Sequence, residues 1–307
     1  WIGTINNGLQ LIDTKQQQPV HLNKSRGLGG DIVSGLLEDH LQRLWIGLRW
    51  NFPEKTGRVN MLDHRSGRIV DFTPLLDTPI VDMPAAMEDR KRRVWLDIYG
   101  KGVYILDFSA NTISMLAQPQ GLLPWGSAIY QDSQNRIWLG RDNGLVLVDS
   151  NLQIIQQYTE FAKGKESSVI AIREDNRHQV WVATLGNGIF KIDSTIQTIQ
   201  HIGVENGLLG PIVQGLSIDA EGRAWVATVK GVYIIDDKAE KIFTITTSQG
   251  LASQSAYSIT KLKDMMAVGT AKGLTIFSTN KPAGDSGNAF KLGARSFGRN
   301  QGLAYID

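Results

Sequence analysis

The chain has 307 residues, with 32 lysines and arginines set against 30 aspartates and glutamates. A net charge of +2 over that length gives no electrostatic footprint for nucleic acid or an anionic membrane surface. There is no cysteine, which excludes a disulfide framework and a thiolate metal site.

The chain opens on WIGTINNGLQLID, and related phrases return at Trp45, Trp95, Trp138, Trp181, Trp225 and, without the tryptophan, Ala267. The steps between these seven positions are 44, 50, 43, 43, 44 and 42 residues. At Trp1 a second strand opens with no first strand before it. At Trp45 an insertion, RWNFPEKTGR, interrupts the hairpin, and at Trp95 the usual small residue is replaced by Asp97. Between Phe108 and Gln131 no charge occurs, yet Pro119, Pro124 and the polar residues there exclude a membrane helix.

The repeat around Trp225 reads most plainly. IVQGLSID predicts a first strand and AEGRA a polar turn; WVAT predicts a second strand, VYIID a third and KIFTITT a fourth. An aspartate stands six residues before the tryptophan at Asp39, Asp89, Asp132, Asp175 and Asp219, suited to an Asx turn, with Lys261 in its place in the last repeat. A Gly-Leu pair lies farther upstream at Gly27, Gly121, Gly207 and Gly250, and again at Gly302. No long window shows a 3.6-residue apolar period.

Four antiparallel strands in each repeat, seven times over, predict an all-β, seven-bladed β-propeller spanning 1–307. Each recurrent tryptophan is expected to fill the gap between neighbouring blades, and the small residue after it to let the sheets approach closely. The tail, NQGLAYID, begins the next phrase without completing it, so a fragment of a longer multidomain protein is expected.

The phrase D-x-x-x-x-x-W-[IV]-[GA]-T-x-x-G-[LIV]-x-x-[IL]-D, with its upstream Gly-Leu pair, resembles the two-component regulator propeller repeat. The resemblance covers the whole chain. It implies a periplasmic sensor region of an inner-membrane protein, a hybrid histidine kinase or a relative with a diguanylate cyclase output. It also implies saccharide inputs and neighbouring domains of the same sensor as partners. The propeller itself would not be an enzyme.

The residues alone support no catalytic or metal centre. Five histidines occur, none in an H-E-x-x-H context, and neither a nucleophile elbow nor a P-loop is present. No cofactor is expected. The enzymatic alternative is a propeller lyase resembling the streptogramin lyases, which rely on a histidine and a divalent metal in the later blades. Here no histidine follows His201.

A ligand is expected where repeats differ, on the face formed by the hairpins between second and third strands and by the connections between blades, around the channel mouth. That face collects Arg49, Trp50, Asn51 and Phe52 from the inserted hairpin. It adds Tyr99 and Lys101, Arg141 and Asp142, then Trp125, Lys165 and Glu166 from the connections. Aromatic rings beside cations suit a small molecule or an oligosaccharide, and the arginines suit an acidic one. The alternative is that the insertion packs on a second propeller or a homodimer partner.

Overall fold

The alternating segments of each repeat become strands that pair with their sequence neighbours, as their tight connections dictate. The computed structural model describes residues 1–4, 6–11, 20–50, 56–76, 79–116, 126–159, 167–208, 210–236, 238, 241–279 and 293–297.

Seven antiparallel sheets follow in chain order and make a seven-bladed β-propeller. Blade 1 has three strands, Ile2–Gly3, Leu9–Leu11 and Val20–Leu22, matching a repeat that opens on its second strand. Blade 2 is Val33–Glu38, Arg43–Leu48, Arg58–Asp63 and Ile69–Asp71. Blade 3 is Ala85–Glu88, Val94–Ile98, Gly102–Asp107 and Thr112–Met115. Blade 4 is Gly126–Gln131, Ile137–Arg141, Gly144–Val148 and Ile154–Tyr158.

Blade 5 is Val169–Glu174, Val180–Thr184, Ile189–Ile192 and Ile199–Ile202. Blade 6 is Val213–Ile218, Ala224–Thr228, Gly231–Ile235 and Ile242–Ile245. Blade 7 is Ala256–Leu262, Met265–Thr270, Gly273–Ser278 and Ala294–Phe297. Two compact units divide the blades: Trp1–Gln131 with Asn135–Tyr158 hold blades 1 to 4, and Asp132–Gln134 with Thr159–Tyr305 hold the rest.

Within each unit the core lies between blades. Trp45 of blade 2 packs with Val94, Leu96 and Ile98 of blade 3, and Trp95 with Ile137, Leu139 and Val146 of blade 4. In the second unit Trp181 packs with Val226 and Tyr233, and Trp225 with Met266, Val268 and Phe277. All four indoles are fully buried, so the recurrent tryptophan is the wedge the sequence predicts.

The Gly-Leu pair has a local cause. Gly27, Gly207 and Gly250 each end a short 3-10 turn with φ near +100° (98°, 107° and 96°), a conformation that favours glycine. The leucines that follow, Leu28, Leu208 and Leu251, drop into the core. Among the described residues the helical segments are such short 3-10 turns, and no helix is long and apolar enough to cross a membrane.

Candidate functional site

The polar turn before each tryptophan is a repeated structural joint. Asp39 Oδ1 accepts from the amides of Leu41 and Arg43, while Oδ2 accepts from Arg43 Nε at 2.6 Å and from Trp45 Nε1 at 3.0 Å. The same indole–aspartate bond recurs at Trp95, Trp181 and Trp225, over 2.7–2.8 Å. Burial opposes the charge on Asp39, but the indole, amide and guanidinium bonds outweigh it and hold its carboxyl below the usual range. The third residue after the aspartate sits at positive φ in five repeats: Gln42, Arg92, Asn135, His178 and Gly222.

Three of these joints are also tied to a side chain farther along the chain. The amide of His40 donates to Glu88, that of Arg90 to Gln131 and that of Ser133 to Glu174, at 2.8–3.0 Å. This settles the reading of two histidines. His40 Nδ1 pairs with Glu88. Ser133 Oγ, His178 Nδ1 and Glu174 Oε1 lie together, with Ser133 bonded to both partners at 2.8 and 2.7 Å. Serine and carboxylate meet the same ring nitrogen, so the imidazole cannot relay a proton from one to the other as a triad does. His178 is a turn residue, as the sequence suggests.

The hairpins between second and third strands are where the blades part company. In blades 5, 6 and 7 the second strand ends in a threonine whose hydroxyl bonds the carbonyl across the hairpin: Thr184 to Gly188, Thr228 to Gly231 and Thr270 to Gly273, at 2.8–2.9 Å. Thr4 does the same with Gly8 in blade 1. Blades 2, 3 and 4 have Leu48, Ile98 and Arg141 there instead.

Two ion pairs mark these three blades. Arg49, half exposed on the blade 2 hairpin, places Nε 2.8 Å from Oδ2 of Asp82, a buried residue in the segment leading into blade 3. The backbone ties the same segments: Trp50 N donates to Val81 O at 2.9 Å and Tyr99 N to Asp82 O at 3.0 Å. The hairpins and the lead-in segments thus share one face in this unit, as expected. Trp50 is 42% and Tyr99 36% exposed, and Lys101 is exposed beside them in sequence.

The second pair is fully enclosed. Arg141 Nη1 bonds Asp97 Oδ2, with the two side chains 5% and 0% exposed. Gly126, which opens blade 4, lies against it; a Cβ there would overlap both Arg141 Nη1 and Asp97 Oδ2, so only glycine fits. Burial pushes the Asp97 carboxyl up to about 6; Arg141 pulls it down and Asp142 adds to the rise. Both Asp82 Oδ1 and Asp97 Oδ1 are buried without a hydrogen-bond partner among the described residues.

Of the residues the sequence singles out, Arg49, Trp50, Tyr99, Lys101 and Arg141 stand on blades 2 to 4 of one unit, while Phe52, Trp125 and Lys165 lie outside the described residues. Sequence reasoning missed Asp82 altogether and treated Asp97 as a mere misfit. The available signal was that Asp97 and Arg141 depart from the repeat phrase together, one repeat apart. Among the described residues no group of three histidines, cysteines or carboxylates could hold a metal. A shallow cavity of about 240 Å³ lies elsewhere, lined by Lys24, Arg58, Asn60 and Asp71.

No family model matches the chain. In sequence it is 21% identical over 282 residues to "Histidine kinase P4" of Formosa agariphila, covering 82% of this chain and 19% of that protein. In structure it matches an extracellular domain assigned to a hybrid two-component system of B. thetaiotaomicron. The TM-score is 0.61 at 16% identity, over 96% of this chain and 46% of that one. Its fold is shared with solved extracellular domains of two-component systems. The resemblance read from the repeat phrase is therefore met in the architecture, and the chain spans under half the length of these sensor relatives. The same fold also serves an enzyme: virginiamycin B lyase from Staphylococcus aureus matches with a TM-score of 0.64 at 13% identity, over 86% of this chain and 84% of the lyase.

Proposed function

We propose that this propeller is the ligand-sensing, extracytoplasmic part of a two-component sensor, and that it binds an oligosaccharide or small molecule on the hairpin face of blades 2 to 4. The observation that carries the reading is the breakdown of the repeat there. Three successive hairpins give up the threonine bond, and in its place stand exposed Trp50 and Tyr99 with two arginine–aspartate pairs. Aromatic faces with fixed polar groups beside them suit the C–H faces and hydroxyls of a sugar. The sensor likeness of the fold supports a binding role. Catalysis in the parent protein, by a histidine kinase or a diguanylate cyclase, would lie in other parts of it, with the propeller on the periplasmic side of an inner membrane.

A ligand shifts signalling only through different affinities for two arrangements of the sensor. A thermal-shift screen of the 307-residue chain against oligosaccharides tests the first step. A binder at a hundred times its dissociation constant stabilises the fold by about 2.7 kcal/mol. We expect an upward shift that Trp50→Ala abolishes; a flat response across the panel would defeat the reading.

A second reading rests on a different surface. The outer strands of blades 3 and 4 expose Ile113, Met115, Ile154 and Ile155, an apolar edge suited to another protein surface. Concentration-dependent association without small-molecule binding would favour it.

A further inference from the structure

The segment that leads into blade 3 is a bracket for the two exposed rings. Ile80 O accepts from Gly57 N at 2.7 Å, Val81 O from Trp50 N at 2.9 Å and Asp82 O from Tyr99 N at 3.0 Å. The carbonyls of Val81 and Asp82 thus serve the hairpin of blade 2 and the hairpin of blade 3 in turn, so residues 80–82 run between the two. Asp82 adds a side-chain tie, accepting from Arg49 Nε at 2.8 Å. Ile80 and Asp82 are buried, whereas Val81, between them in sequence, is 40% exposed. Trp50, Val81 and Tyr99 therefore offer one exposed apolar side chain each from three adjoining segments. Where the same pairing recurs ahead of blade 2, no ring stands in either place: Asp31 O and Ile32 O take Gly8 N and Arg49 N.

Segments bonded in this way lie about 4.8 Å apart, which sets the two hairpins about 10 Å apart across residues 80–82. The backbone of both aromatic residues is fixed before any ligand arrives, so less ordering remains to be done on binding. We infer that Trp50 and Tyr99 are the two ends of one stacking platform that selects its ligand by length: a linear oligosaccharide of three or more units, with alternate rings on the two aromatics and the ring between them over Val81. The inference rests on the binding reading above. Each ring of an extended pyranose chain spans the width of one such segment, so two ring steps carry the chain from Trp50 to Tyr99. In a β-1,4-linked chain alternate rings turn the same face the same way, which two platforms on one surface require. The C–H faces meet the indole and the phenol while the hydroxyl edges stay in water. A monosaccharide or a disaccharide reaches one aromatic only.

Calorimetric titration of the 307-residue chain with β-1,4-linked glucose, mannose and xylose ladders of one to six units tests this. We expect an affinity step of at least about tenfold between two and three units in the ladder that binds, with little gain beyond. Tyr99→Ala should remove the step, so that the trisaccharide binds no more tightly than the disaccharide, while Trp50→Ala weakens every length. The ladder in the unaltered chain needs no variant. Equal affinity for one unit and for six would overturn the inference and leave the binding reading standing. A step that survives Tyr99→Ala, in a variant whose unfolding midpoint is unchanged, overturns the pairing of the two rings. No binding by any of the three ladders also overturns it, and a small molecule found in the thermal-shift screen would then keep the broader binding reading.

Discussion

Blade 6 and blade 3 have the same strands and the same turn, but they meet their polar needs differently. In blade 6 the second strand runs Trp225-Val226-Ala227-Thr228, and Thr228 satisfies the hairpin from within the blade. In blade 3 it runs Trp95-Leu96-Asp97-Ile98, and Asp97 finds its partner one blade on, in Arg141. A local hydroxyl bond is replaced by a long-range charge pair, and one carboxylate oxygen is left over. Regular blades close on themselves; blades 3 and 4 are completed only by each other. A repeat fold needs no such arrangement to stand, and its presence on one face is what draws attention there.

The comparison can be broken most forcefully at Arg141. Arg141→Met leaves Asp97 buried without its cation and is expected to cost about 3–5 kcal/mol in urea unfolding. Asp97→Gly combined with Arg141→Thr restores the phrase of the regular blades and should recover most of that loss. A cost near that of a single neutral hydrogen bond for Arg141→Met would erase the distinction between the blades.

Next is the pH dependence. The folded-state carboxyl of Asp97 is pushed up to about 6 by burial, from an ordinary value of 3.8. The folded state therefore binds this proton more strongly than the unfolded chain does. The resulting stability is fully present below about 4 and is lost as pH rises through 6. The margin of the unaltered protein over Asp97→Asn should shrink by roughly 3 kcal/mol across that window. Unfolding titrations of both proteins at several pH values measure it. Asp39 and Asp71, held below the usual range, act in the opposite sense and cancel in this difference. The smallest effect is expected in the regular blade: Thr228→Val removes the hydroxyl bond to Gly231 and should cost about 1 kcal/mol, read from the same unfolding curves.

Much of the fold was legible because its rules are local and repeated. Trp45, Trp95, Trp181 and Trp225 announced the blade gaps, while the Gly-Leu pair at Gly27, Gly207 and Gly250 was visible as a recurrence whose cause, a positive φ before a core leucine, only the structure supplies. Residue type told little of the left-handed position at Gln42, Arg92 and His178, where each amide donates to the carbonyl of the repeat aspartate. The candidate site was legible in outline. Trp50 and Tyr99 are exposed as read, but the arginines were taken for open cations. Asp82 lies in PIVDMPAA, outside any repeat phrase, and its burial under Arg49 depends on how two separate segments meet. Charge counting along the sequence cannot see that pairing.

The enclosed tryptophans have an optical consequence. Among the described residues five indoles are fully buried, and the ring nitrogens of Trp45, Trp95, Trp181 and Trp225 donate to an aspartate, whereas Trp50 faces solvent. Light absorbed by the buried set is emitted from rings shielded from aqueous quenchers, so their fluorescence reports on whether neighbouring blades remain packed. Trp50 stands apart as a chromophore open to collision. These six indoles thus form two spectroscopic populations, one registering the integrity of the fold and the other registering events on the hairpin face.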